Sequence, residues 1–156
     1  MQDPGNTGWQ RDLAVSHNQV GSVLEEQGGA SAGQSEYQVS LILFTKLRNP
    51  EDAGTMIDHA AGIACLAQCH DVMGDGDAAH ALDLQITEID WTPDAIVGAF
   101  RKKSIPKIVA RLDVVFDQCS PELQARIAKR CLGGLEAVGV ADLATWRARA
   151  ERAQMN

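Results

Sequence analysis

The chain has 156 residues, of which 45% are hydrophobic, 22% charged and only 4% aromatic, with a net charge of -7. That length suits one compact core and is too short for two independent ones. Mean hydropathy is -0.16, and no apolar run reaches the roughly 18 to 20 residues a membrane span needs, so no membrane partner and no export signal are expected.

Apolar positions Leu13, Val20 and Leu24, with His17 between them, follow the spacing that lines one face of an α-helix, which stops at Gly28 and Gly29. Past "GGASAGQSE", a second stripe of Tyr37, Leu41 and Phe44 predicts a helix ending near Asn49 and Pro50, beginning late because Gly and Ser lower helix propensity. Shifting the chain by 46 places lays Pro4 on Pro50, Asp12 on Asp58 and Gly28 on Gly74, and puts His59, Ile63, Leu66 and His70 over the first stripe. A period in the range of roughly 20 to 50 residues marks stacked helical units. Residues 1–92 are therefore expected to form two antiparallel helical hairpins, with Leu82, Ile86 and Ile89 on the last helix.

Residues 93–156 are expected to form a helical cap or a diverged third unit packed onto the same domain. Thr92, Pro93 and Asp94 provide a helix start ahead of Ile96, Val97 and Phe100. Ser104, Ile105 and Pro106 provide another, ahead of Ile108, Leu112, Val115 and Phe116. Ser120, Pro121 and Glu122 open a third, carrying Leu123, Ile127 and Cys131 as far as Gly133 and Gly134, and a last amphipathic segment runs from about Asp142 through Trp146. No stretch alternates as a strand does. The fold class is all-α: stacked antiparallel hairpins with a helical C-terminal cap.

The run "DPGNTGWQRDLAVSHNQVGSVLEEQG" followed by "EYQVSLILFTKL" resembles a tetratricopeptide repeat of the long-period kind found in bacterial arrays, over residues 3–47, with Gly21 as its small first-helix residue and Gly28 at its turn. "MGDGDAAHALDLQ" is similar to the family's turn and second-helix start, with Ala81 and Leu82 in the small and apolar places. The resemblance implies a non-enzymatic adaptor that binds a protein or peptide in a groove lined by first helices. Carried over by position, the groove residues are Asn18, Ser22 and Glu25 in the first unit and Gln68 and Asp71 in the second, a polar to acidic lining. Helix geometry places these residues off the apolar stripes, facing solvent.

Other chemistry is weakly signalled. Cys65 and Cys69 share a helical face, and His59, His70 and His80 lie nearby, but zinc signatures draw tight cysteine pairs from two separate elements, so no metal and no cofactor are expected. "DVMGDGDAAHALD" lacks the alternating acids and terminal Glu of a calcium loop, and Asp77 is read there as a helix cap. Neither a nucleophile elbow nor a phosphate loop is present, which argues against an enzyme. Four sparse cysteines in helical runs fit free thiols in a reducing cytoplasm.

Charge is unevenly spread. Between Arg48 and Arg101 there is no Lys or Arg, whereas Arg101, Lys102, Lys103, Lys107, Arg111, Arg130 and Arg149 fall in the last third. The basic tail supports a competing class, a small helical nucleic-acid-associated regulator, which the acidic middle opposes. The opposed charges also suit pairing within the chain or head-to-tail self-association as a homo-oligomer.

Overall fold

The computed structural model describes residues 7–155, whose regular structure is helical throughout. Seven α-helices follow in order: α1 (Thr7–Glu26), α2 (Ala30–Leu47), α3 (Ala53–Val72), α4 (Gly76–Thr87), α5 (Ala99–Val115), α6 (Pro121–Ala137) and α7 (Ala144–Met155). The all-α expectation holds. No described helix is long and apolar enough to cross a membrane.

Helix starts carry the 46-residue period further than the sequence did. The first residues of α1, α3 and α5 are Thr7, Ala53 and Ala99, each 46 residues after the last. The second helices begin at Ala30, Gly76 and Pro121, almost in step. Capping chemistry repeats with them. Gly28 and Gly74 take φ of +84° and +83°, and the amides that follow, from Gly29 and Asp75, donate to Leu24 O and His70 O at 2.8 Å. Only a residue without a Cβ adopts that left-handed turn cheaply. The N-cap of α4 is Asp75, whose side chain accepts from the Ala78 amide, so Asp77 sits in the first turn and is not the cap.

Several boundaries differ from expectation. Helix α2 begins at Ala30, with no late start, because its glycine is a packing residue: a Cβ on Gly33 would lie 2.9 Å from Gly21 O. Thr92–Asp94 opens only a 3-10 turn over Pro93–Ala95. The chain then breaks at Gly98, with φ of +90°, and a single helix runs from Ala99 through Pro106. Pro106 therefore lies inside α5, on its exposed side. Gly133 and Gly134 do not end α6. They let it approach Pro93 and Ile105, each 3.2 Å from the Cβ such a glycine would carry.

The core centres on α3, which is buried on nearly every side from Ile57 to Ala67 and packs against α2, α4 and α5. One apolar cluster joins its Ile57, Ala60 and Ile63 to Ile86, Trp91, Ile105, Ile108, Leu112, Ile127, Leu135 and Trp146, crossing the boundary drawn at residue 92. Trp91 and Trp146 close packing joints there, while Trp9 is half exposed.

Candidate functional site

Two buried carboxylates tie the helices to one another. Asp58 on α3 accepts from Arg11 Nε at 2.7 Å and Nη2 at 3.1 Å, and from Arg101 Nε and Nη2 at 3.0 Å each. Its side chain is 3% exposed. Asp83 on α4 accepts from Arg111 Nε at 2.7 Å and Nη2 at 2.6 Å, and Arg111 Nη1 donates to Asp71 at 2.6 Å. Hydrogen bonding to these acids holds the Arg11 and Arg111 guanidiniums above their usual pKa. Bidentate pairs of this kind fix geometry as well as charge.

The pairs also give the helix directions. Arg11 with Asp58 and Asn18 with Cys65 join α1 to α3 at the same separation of 47 residues, so the two helices run parallel. Arg101 with Asp58 and Arg111 with Asp71 show α5 parallel to α3. Helices α1 and α5 thus flank α3, and a groove of about 580 Å³ opens between them. Asn18, Gln19, Ser22, Val23 and Glu26 form one wall, and Ala99, Phe100, Lys103, Ser104 and Lys107 the other. Phe100 closes the end nearest Asp58, stacked on Phe44 at 5.6 Å between centroids and lying 5.9 Å from the Arg11 guanidinium.

Asn18 is the unusual member of that lining. It is 3% exposed, against the expectation that it faces solvent. The reason lies in the buried face of α1, which is made of Ala14, Asn18 and Gly21 and not of Leu13, Val20 and Leu24. Small residues let α2 come close: a Cβ on Gly21 would meet the Tyr37 ring at 2.8 Å, and Ser40 Oγ donates to Ala14 O at 2.8 Å. The Asn18 Oδ1 accepts from the Cys65 thiol at 3.6 Å, whereas its Nδ2 is buried without a hydrogen-bond partner. Such an orphan donor costs about 1–3 kcal/mol.

The other expected groove residues divide. Ser22 lines the groove and bonds Tyr37 Oη at 3.1 Å. Glu25 turns to the same phenol, which donates to its Oε1 at 3.0 Å. Burial, first of all, pushes the Tyr37 hydroxyl up. Gln68 is exposed on α3 and is absent from the groove wall. Asp71 is held by Arg111. The lining is thus not simply acidic, because α5 contributes Lys103 and Lys107, which the sequence reading assigned to a basic tail.

The cysteine and histidine cluster disperses. Cys65 faces Asn18, Cys69 Sγ donates to Ala30 O at 3.2 Å, and burial raises both thiols. His59 is buried, its pKa lowered to about 4 by desolvation and then by Arg48. No group of three metal-ligating side chains is gathered among the described residues.

Two arginines of the last helices are spent on packing. Arg130 pairs with Asp90 and lies over the Trp91 ring at 5.3 Å. Arg149 bonds Asp113 at 2.7 Å and sits over Phe116 and Trp146 at 4.2 and 4.5 Å. No family model matches the chain, and neither does any curated protein or solved structure.

Proposed function

We propose that the chain is a tetratricopeptide-like adaptor that binds a segment of another protein in the groove between α1 and α5 and carries out no chemistry of its own. Three helical pairs starting at one period, their first helices parallel, support the reading, with α7 covering the last pair as a cap. The observation that carries it is Asn18, a residue of the groove wall whose buried Nδ2 has no hydrogen-bond partner. Native proteins leave few such groups unsatisfied, and a ligand is one way to satisfy this one. Four free cysteines, three of them buried, suit a reducing cytoplasm.

The nucleic-acid reading is weaker, since Arg111, Arg130 and Arg149, three of the cations it would use, already pair with acids of the same chain. The adaptor reading is tested by placing a photo-crosslinking amino acid at exposed Gln19, on the groove, and separately at exposed Leu84, on α4. A discrete partner adduct from Gln19 alone is expected. An adduct from Leu84 and none from Gln19 would place the binding surface elsewhere.

A further inference from the structure

We propose that the outer face of the first hairpin joins two copies of this chain head to head across a two-fold axis, with α2 of one copy antiparallel to α2 of the other. Both grooves stay open in such a dimer, because Gln19, Val23 and Glu26 lie on another side of α1, so it forms whether or not a partner binds there.

The repeat identifies the face. Leu13, His17, Val20 and Leu24 of α1 recur 46 residues on as His59, Ile63, Leu66 and His70 of α3, and again as Ile105, Val109 and Leu112 of α5 with Phe116 just beyond it. The two later sets are buried, apart from His70, whose side chain is 14% exposed. In the second unit the cover is α2, whose Tyr37 shares an apolar cluster with Leu66. The first set has no such cover: Val20 is 47% exposed, and Leu13, His17 and Leu24 are partly so. Glu36 bonds His17 at 2.5 Å across the seam, so the side of α2 that carries Glu36, Val39 and Leu43 continues the same surface. None of its apolar side chains belongs to the two apolar clusters of the described residues.

Charge and shape name a second copy as the occupant. The other end of the stack is no mate, because α6 and α7 expose no large apolar side chain among the described residues and α7 turns Arg147, Glu151 and Arg152 to solvent. The face instead complements itself. On α2, Glu36, Val39, Leu43 and Lys46 follow the 3-4-3 spacing of a single helical stripe. Inverting that stripe about residue 41 lays Glu36 on Lys46 and Val39 on Leu43, so a two-fold axis pairs opposite charges at both ends and apolar groups at the centre. Lys46 is exposed, with no ion pair among the described residues. Two helices of 20 and 18 residues side by side present about 28 Å by 20 Å, or on the order of 1,100 Å² over the two copies. That just exceeds the roughly 1,000 Å² a specific interface needs, which suits a weak, reversible dimer.

The test is sedimentation velocity of the full chain from about 1 to 200 μM, the range in which a micromolar dimer dissociates. Wild type should pass from monomer to dimer across it. Val39→Glu should stay monomeric, and Lys46→Glu, which sets two acids against each other at each end, should weaken the dimer about tenfold or more. Glu36→Lys should weaken it similarly, and an equimolar mixture of the Glu36→Lys and Lys46→Glu chains should dimerise again, each supplying what the other lacks. Val39 and Lys46 are exposed, so melting curves of those two variants should match wild type, and rescue in the mixture excludes misfolding of the third. A wild type monomeric throughout would overturn the dimer and leave the face to another occupant. A dimer indifferent to Val39→Glu would overturn the choice of face. A dimer lost in Val39→Glu yet indifferent to Lys46→Glu, with no rescue in the mixture, would overturn the antiparallel pairing.

Discussion

Asp58 on α3 is gripped by Arg101 on α5 through two parallel hydrogen bonds of 3.0 Å each, and Arg11 on α1 takes the same two oxygens from the other side. One carboxylate thereby ties together three helices whose starts are spaced by the repeat. The acidic middle and basic end of the sequence meet inside the molecule, in this pair and in those of Arg111 with Asp71 and Asp83. The groove owes its two walls to that arrangement, because α1 and α5 are held to opposite flanks of α3.

Removing the shared carboxylate should be costly. Asp58→Asn leaves two guanidiniums without their counter-charge and is expected to lower unfolding free energy by about 3–5 kcal/mol in urea titration. Asp83→Asn should cost a similar amount through Arg111. Asp71→Asn should cost less than about 1 kcal/mol, since that carboxylate is 45% exposed and Arg111 keeps its bidentate partner. Comparable losses from Asp71 and Asp83 would show that the burial difference does not govern these pairs.

The close crossing of α1 and α2 makes its own prediction. Gly33→Ala drives a Cβ to 2.9 Å from a backbone oxygen that cannot swing away, and should destabilise by about 1–3 kcal/mol. Gly76→Ala, at the start of α4 with open space around it, should instead stabilise by up to about 1 kcal/mol through helix propensity. Thermal melts of the two variants should move in opposite directions.

Acid should weaken the fold through His59. Burial lowers its folded pKa to about 4, below an unfolded value of about 6.5. Above the unfolded value both states are neutral and stability is flat. As pH falls between the two values the unfolded chain takes up a proton that the folded chain refuses, so stability declines by about 1.4 kcal/mol per pH unit and levels off below the folded pKa. His59→Gln should remove that share of the slope. Parallel pH profiles for wild type and variant would assign the acid sensitivity to the carboxylates.

Duplex DNA should not bind at physiological ionic strength, because the arginines of α5, α6 and α7 that pair with acids cannot also neutralise phosphates. A gel shift that persists at such salt would restore the nucleic-acid reading.

Much of the architecture could be read in the residues, and the failures share a cause. Stripes such as Ile63 and Leu66 or Tyr37 and Phe44 are large and apolar, so their periodicity places them in the core correctly. The face of α1 was displaced by one position because its contact with α2 is made by Ala14, Gly21 and Gly33, which hydrophobic spacing barely registers. The same displacement hid Asn18, an amide that appears polar and outward until close packing buries it. The second wall was missed because Lys103 and Lys107 were counted as tail charge. The start of α5, 46 residues after that of α3, is the signal that places them opposite α1.

The most direct measurement is an amide NMR titration of the isotope-labelled protein with the crosslinked partner segment. Shift changes concentrated in residues 18–26 and 99–107, with the Asn18 side-chain NH2 resonance moving most, are the predicted result. Changes confined to α4, α6 or α7, with the Asn18 amide unmoved, would contradict the account.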